Sequence, residues 1–191
     1  MTSQSWPLIR TLMVVCCTML VLPSARAATT RIDVVRDGEV FIIDAVLVAP
    51  VSVRDAWAVL TDFDAMSRFV PDLESSRITA RAGTRITVEQ RGVARWGPLA
   101  LKFQTVREVD LTPFERVTSH VVSGSLRKVD THTRFATVAN GTEIRHHIEL
   151  ITDGWLPDFV VEGFLRAEVR QQFEALEREM RRRGSVSGPP P

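Results

Sequence analysis

One long amphipathic segment near the C-terminus constrains the fold more than any other feature of the sequence. Its apolar residues recur at intervals of three and four, namely Val161, Phe164, Leu165, Val169, Phe173, Leu176 and Met180. This spacing places them on one face of a helix. Pro157 suits the first turn, and Gly184 suits the end of such a helix. We predict a helix from Pro157 to Arg183, about 40 Å long, which needs a broad apolar surface to pack on.

The residues before this helix have the pattern of β-strands. Glu39–Ala49 is apolar and rich in β-branched residues. Six further strand-like segments follow in close order: Glu74–Arg81, Arg85–Arg95, Leu99–Val109, Glu115–Ser123, Lys128–Val138 and Thr142–Thr152. Short turns separate them, and Asn140-Gly141 is the strongest hairpin signal in the chain. Short links join antiparallel neighbours, so we predict a meander.

Two short helices are predicted between the first strand and the meander. Ser52 is a good N-cap for Val53–Leu60, and a second helix runs from Asp62 to Phe69, where Pro71 stops it. The predicted fold class is therefore α+β, with a curved antiparallel sheet of about seven strands. The long helix lies over that sheet, and such an arrangement tends to enclose a cavity.

Several short motifs in this order match a known superfamily. They are Val53–Phe63, Phe69-Val70-Pro71, Leu73-Glu74-Ser75-Ser76, Asn140-Gly141-Thr142 and Gly154-Trp155-Leu156-Pro157. On these residues the chain resembles the START/Bet v 1-like (SRPBCC, helix-grip) superfamily, and within it the polyketide cyclase/dehydrase and coenzyme Q-binding START-like branch. The resemblance covers Glu39 to Arg183. It implies a helix-grip fold and a role among lipid carriers, quinone carriers and aromatase/cyclases, and it does not choose between them.

The first 27 residues have the features of a cleavable signal peptide. Arg10 precedes the apolar run Thr11–Leu22, and a small-x-small pattern ends at Ala27. We predict cleavage after Ala27 and a periplasmic or secreted location; an uncleaved membrane anchor is the alternative. Both cysteines lie in this leader, so the remaining chain forms no disulfide. The expected domain spans residues 39–183, followed by a disordered tail over residues 184–191.

Charge and motifs exclude several classes of partner. The leader holds two of the 24 basic residues and none of the 23 acidic ones, so the mature chain is nearly neutral, which argues against nucleic acid. No phosphate-binding glycine loop or dinucleotide fingerprint is present, and we predict no cofactor. We expect a monomer. The arginines Arg181–Arg183 either make transient contact with a membrane or complement the helix dipole, and we favour the dipole.

Strand alternation predicts which side chains face the cavity. In the last strand Ile144, Ile148 and Leu150 are apolar at even positions, so His146 also faces inward. The same argument turns Arg107 inward. The full set predicted to bind the ligand is Trp57, Phe69, Val88, Gln90, Leu101, Phe103, Thr105, Thr133, Phe135, His146, Ile148, Trp155, Val161, Phe164 and Leu165. This lining suits an apolar ligand with one or two polar groups.

His146 and Arg107 are the two residues with a plausible chemical role. His146 either acts as a general base or is a core histidine satisfied by Thr131, Thr133 or a water, and we favour the core histidine. Arg107 either binds a carboxylate or quinone oxygen, or is a strand-end arginine that reaches solvent, and we favour solvent. We predict no metal site, because His132 and His147 fall on the outer face and no acidic residue stands at ligand spacing.

Three functions therefore remain open from the sequence. The first is a secreted or periplasmic carrier for a hydrophobic small molecule such as a lipid, isoprenoid quinone or polycyclic compound. The second is a cyclase/dehydrase-type enzyme acting on a hydrophobic substrate. The third is a protein-interaction module with no enclosed ligand. We favour the carrier, because secretion separates the chain from cytoplasmic synthases.

Overall fold

The computed structural model describes residues 29–151 and 157–186, which form one antiparallel sheet of eight strands with two α-helices. The strands are β1 (Thr29–Asp37), β2 (Val40–Ala49), β3 (Leu73–Ala82), β4 (Arg85–Trp96), β5 (Leu99–Thr112), β6 (Arg116–Gly124), β7 (Lys128–Val138) and β8 (Gly141–Ile151). The helices are α1 (Val53–Leu60) and α2 (Asp158–Val186). The predicted α+β helix-grip architecture is confirmed.

The strand order across the sheet is β1-β2-β8-β7-β6-β5-β4-β3. The meander from β3 to β8 is as predicted, and β8 pairs with β2 to close the arrangement. Gly141 begins β8 with a φ of 131°, and a Cβ there would lie 2.1 Å from the carbonyl oxygen of Ala49. A glycine is therefore needed where β8 passes the end of β2.

Strand β1 is an edge strand that the sequence analysis did not predict. It forms a hairpin with β2 through Gly38, whose φ is 60°. Ile32 and Val34 alternate inward and are buried. The sheet thus begins at Thr29 and not at Glu39, and it has eight strands instead of about seven. The two inward residues are separated by charged ones, so the apolar signal of β1 is weak.

The segment between β2 and β3 keeps one of its two predicted helices. Ser52 caps α1, accepting a hydrogen bond on Oγ from the backbone N–H of Asp55 at 3.1 Å. The second predicted helix is reduced to a 3₁₀ turn, Met66–Arg68. Asp64 does not extend it, because its carboxylate accepts a hydrogen bond from the backbone N–H of Ile78 in β3 at 2.7 Å.

Helix α2 packs its predicted apolar face against the sheet. Val161, Leu165, Val169, Phe173 and Met180 are buried, and Phe164 and Leu176 are partly buried against the same core. α2 contacts β1 and β2 toward one end of the sheet and β4 toward the other, so the sheet curves around it. The helix continues to Val186, three residues past the predicted end at Arg183.

Two predicted segments lie outside the described residues. They are the signal peptide, residues 1–27, and the last part of the tail, residues 187–191. Within the described ranges, no helix is both long enough and apolar enough to cross a bilayer.

Candidate functional site

A band of polar side chains crosses the inner face of the sheet beneath α2. We call this the polar band; it consists of Ser76, Gln90, Arg107, Ser119, Thr131, Thr133 and His146, contributed in turn by strands β3 to β8. Two pairs of its side chains are hydrogen-bonded to each other, and we call them the closed pairs. Ser119 Oγ lies 2.9 Å from Thr131 Oγ1, and Thr133 Oγ1 lies 2.7 Å from His146 Nδ1. Buried polar groups need such partners, so these pairs remove their own desolvation cost.

Two adjacent cavities lie between the polar band and α2. The larger, of about 210 Å³, is lined mainly by apolar side chains, among them Leu73, Phe103, Leu126 and Val129. The smaller, of about 130 Å³, lies deeper and is lined by Phe63, Val117, Phe173 and both closed pairs of the polar band. Met66, Arg107, Gln172 and Leu176 line both cavities. Together the cavities slightly exceed about 300 Å³, the lower end of the range for small-molecule pockets.

Arg107 lies at the junction of the two cavities. Its Nη2 donates a hydrogen bond to Gln90 Oε1 at 2.5 Å, and Gln90 Nε2 donates to Ser76 Oγ at 3.0 Å. The Nε of Arg107 is buried without a hydrogen-bond partner. Burial lowers the pKa of Arg107 to about 10, so the side chain stays protonated at neutral pH.

This placement corrects the solvent-facing orientation that we favoured for Arg107. The predicted strand ended at Val109, whereas β5 runs to Thr112. Arg107 therefore lies inside the strand, opposite Val88 in β4 and Val121 in β6. An irregularity in the β5–β6 register falls between Val106 and Arg107. Such bulges re-aim the side chains beside them.

His146 lines the smaller cavity and has one of the partners, Thr133, that we predicted for a core histidine. Its ring centroid lies 5.9 Å from that of Phe173, and Thr133 holds its Nδ1. Burial, and secondarily the positive charge of Arg107, lower the pKa of His146 to about 4. The imidazole is therefore neutral at pH 7, and it is a weak base.

Two functional residues on α2 were not predicted. Glu168 lines the larger cavity, Gln172 lines both, and Gln172 Nε2 donates to Glu168 Oε1 at 2.7 Å. Burial raises the pKa of Glu168, with a smaller rise from Asp72, against the lowering effect of the bond from Gln172. The sequence contains a pattern that could have predicted them. Glu168, Gln172 and the apolar Leu176 are spaced by four and share one helix face.

The structure brings some of the predicted ligand-binding residues to the cavities and places the others in the core. Those that line a cavity are Gln90, Phe103, Thr105, Thr133 and His146, together with Arg107. Those that belong to the core or pack against it are Trp57, Phe69, Val88, Phe135, Ile148, Val161, Phe164 and Leu165. Trp57, for example, packs on Phe135 with 5.4 Å between ring centroids. Trp155 lies outside the described residues.

Leu101 does not have the predicted inward, buried environment. It is 43% exposed. The pairing of β5 with β6 begins only at Thr105, so the first residues of β5 project beyond β6 with β4 as their only strand partner. Alternation along β5 predicted the correct face for the neighbouring side chains. It does not show how far the elements packed on that face of the sheet extend.

A further concave surface lies on the opposite, outer face of the sheet. It measures about 560 Å³ and is lined largely by charged and polar side chains, including Asp44, His132 and His147. Its groups pair with one another at the surface, as Asp44 does with His147 at 2.8 Å. This surface does not suit an apolar ligand. Among residues 29–151 and 157–186, no three His, Cys, Asp or Glu side chains are grouped to hold a metal ion.

Comparison with known proteins identifies relatives of this architecture. The family described as "Polyketide cyclase / dehydrase and lipid transport" matches residues 49–177. A search of curated proteins found no match. Among solved structures, the STAR-related lipid transfer protein from Xanthomonas axonopodis superposes with a TM-score of 0.63 at 12% identity, covering 78% of this chain and 98% of that one.

Two further solved structures superpose equally well. The Zhui aromatase/cyclase from Streptomyces sp. R1128 gives a TM-score of 0.64 at 13% identity, over 78% of this chain and 98% of that one. The human StAR-related lipid transfer protein 5 gives 0.63 at 10% identity, over 79% and 86%. At these identities the likeness is one of fold.

Proposed function

The chain belongs to the polyketide cyclase/dehydrase and lipid transport family, and we propose that it is an exported carrier that binds a hydrophobic small molecule in the adjacent cavities beneath α2. The observation that carries this proposal is the partly open, mainly apolar space between α2 and the sheet. Apolar walls with a few fixed polar groups are typical of small-molecule sites. The lipid, isoprenoid quinone and polycyclic classes all remain in this proposal.

The position of the larger cavity indicates where a ligand would enter. The larger cavity is bordered by Met66, Val70, Pro71 and Leu73 of the segment that leads into β3, and by Leu126 of the β6–β7 turn. These residues belong to turns and strand ends, where a chain moves at lower cost than in the middle of a sheet. A ligand would therefore enter at this end, and its apolar part would occupy the larger cavity.

Two adjacent valines allow a direct test. Val121 lines the larger cavity, whereas Val122 is 49% exposed. The full chain would be titrated with the neutral fluorescent probe Nile red, and organic extracts of the purified protein would be examined by mass spectrometry. We expect Val121→Trp to fill the cavity and weaken probe binding at least about tenfold, or 1.4 kcal/mol. Val122→Trp should leave binding unchanged.

Two results would contradict the carrier proposal. One is an extract that is reproducibly empty from a protein that also fails to bind Nile red. The other is equal binding by wild type, Val121→Trp and Val122→Trp, which would place the probe outside the cavities. Thermal unfolding of each variant would show that the fold is kept.

The exported location is part of the same proposal and rests on the leader sequence. Expression of the full chain in a bacterial host, followed by fractionation and N-terminal sequencing, would test it. We expect a mature N-terminus at Ala28 in the periplasm or medium. A protein that keeps its first 27 residues in the membrane fraction would show an uncleaved anchor instead.

A cyclase/dehydrase activity is the second candidate, and one observation favours it. Arg107 and His146 line the same smaller cavity, so a cation that polarises a carbonyl and an imidazole face one space. The low pKa of His146 makes it a weak base at neutral pH. Assays with poly-β-carbonyl substrates would compare wild type with His146→Ala. Turnover that is absent, or equal in both proteins, would remove this mechanism.

A further inference from the structure

Arg107 is unusual among the strand arginines around it. Arg77, Arg85 and Arg95 each bind a carboxylate, respectively that of Glu89, Asp110 and Asp72, at 2.7 to 2.9 Å. Those pairs lie at the surface, where each charge is also solvated. Arg107 is partly buried with its Nε fully buried, and among the described residues no carboxylate lies within ion-pair distance of it. A buried cation without a counter-charge is costly to the fold.

Arg107 also has hydrogen-bond donors without a protein partner in the described chain. A guanidinium carries five N–H groups in a fixed fork. Within the described chain, one of them is used, in the bond from Nη2 to Gln90. Nε is buried and has no acceptor. Ser119 and Thr131 bond to each other, as do Thr133 and His146, and none of these side chains accepts a hydrogen bond from Arg107 Nε.

Gln90 fixes the direction in which the fork points. Its Nε2 is bonded to Ser76 and lies 3.5 Å from Met66 Sδ, so its Oε1 is the atom that faces Arg107. Arg107 is thereby tethered by one nitrogen, with the rest of its fork at the junction of the two cavities. A preorganised fork of this kind matches the two oxygens of a carboxylate.

We infer that the ligand of the proposed carrier is an amphipathic monocarboxylic acid, whose carboxylate binds the guanidinium of Arg107 while its apolar part lies in the larger cavity. This inference rests on the proposed function and adds the chemical class of the ligand. It also explains why a helix-grip cavity keeps a partly buried arginine that pairs with no acid among the described residues. The ligand would supply the counter-charge on binding.

Glu168 explains why the acid should carry a single carboxylate. It faces the larger cavity from α2, with Asp72 close enough to raise its pKa. The rest of that wall is largely apolar, from Leu73, Phe103, Leu126 and Val129. A second carboxylate on the ligand would meet Glu168 or this apolar wall, and neither compensates it. A dicarboxylic acid of equal length should therefore bind less well.

The test compares ligands that differ only in the head group. Decanoic acid, 1-decanol, methyl decanoate and decanedioic acid would be titrated at pH 8 against the full chain, by displacement of Nile red. The proteins are wild type, Arg107→Met and the control Arg134→Met, whose arginine is exposed on β7. Wild type should bind decanoate about 10- to 100-fold more tightly than decanol, the usual range for charge-assisted hydrogen bonds.

The variants give the second half of the expected result. Arg107→Met should lose the preference for the acid while its affinity for decanol stays within about threefold of wild type. Arg134→Met should behave as wild type. Decanoate should raise the unfolding temperature of wild type by more than that of Arg107→Met. If Arg107→Met does not fold, the ratio of acid to alcohol and to diacid in wild type decides the question.

The outcomes separate this inference from the proposed function. Equal binding of decanoate and decanol by wild type would overturn the carboxylate assignment and leave the carrier proposal standing. A preference for the acid that survives in Arg107→Met would also overturn it. Failure of Nile red and of all four ligands to bind would overturn both. Tighter binding of decanedioic acid than of decanoic acid would contradict the role given to Glu168.

Discussion

His146 and His147 are neighbours in β8, yet they occupy opposite faces of the sheet. His146 faces α2, where its Nδ1 lies 2.7 Å from the hydroxyl of Thr133. His147 faces outward, and its Nδ1 lies 2.8 Å from the carboxylate of Asp44, which is 61% exposed. The two contacts have nearly the same length. The solvent around them differs, so we expect the inner face to carry most of the stability and the sensitivity to pH.

The largest expected difference between the faces comes from apolar burial. Ile43 and Asp44 are adjacent in β2; Ile43 is 1% exposed and faces the core. Ile43→Ala should cost about 3 kcal/mol, the sum of lost burial and a residual cavity. Asp44→Ala should change stability by less than about 0.5 kcal/mol. Urea unfolding of both variants measures this, and similar losses would show that the two faces do not differ as described.

The second difference is in pH dependence. The pKa of His146 falls to about 4 in the folded chain, mainly because the ring is buried, against about 6.5 in the unfolded chain. Between these values the unfolded chain binds a proton that the folded chain does not. Stability should therefore fall as pH is lowered from 6.5 to 4, by an amount on the order of 3 kcal/mol.

Matched variants isolate this effect. His146→Gln should flatten the pH dependence of the unfolding free energy, whereas His147→Gln should keep it. The pKa of Glu179 is lowered to about 2, mainly by its hydrogen bond from Arg182, with burial acting against it. Its contribution to the slope near pH 4.5 is the same in both variants, so the comparison between them removes it. If the slope between pH 4.5 and 6.5 is unchanged in His146→Gln, the buried histidine is not its source.

The contrast between the faces also shows what sequence can predict. The period of two along β8 is local, so alternation alone placed His146 inward and His147 outward. The apolar stripe of α2 is local as well, and it predicted the helix that covers the sheet. β1 was missed because Thr29–Asp37 holds three apolar residues among four charged ones and lies beside a predicted cleavage site.

What sequence could not predict depends on pairing between distant segments. Arg107 meets Gln90 only because β4 and β5 pair in one register, and Glu168 faces the same cavity only because α2 crosses above. The predicted end of β5 at Val109 was three residues too early, which led us to place the head of Arg107 in solvent. Strand ends are set by these pairings and not by local pattern.

The sharpest comparison is between the two histidine contacts themselves. Thr133→Val keeps the shape of the buried side chain and removes its hydroxyl, which leaves His146 Nδ1 without its partner. The expected cost is about 1–2 kcal/mol. Asp44→Asn neutralises the outer partner of His147 at an exposed site, where such pairs contribute about 0–1 kcal/mol. The cost of Asp44→Asn should differ between low and high salt, and the cost of Thr133→Val should not. Equal costs for the two substitutions would mean that burial does not decide the worth of these contacts, and the distinction between the two faces of β8 would then rest on apolar packing alone.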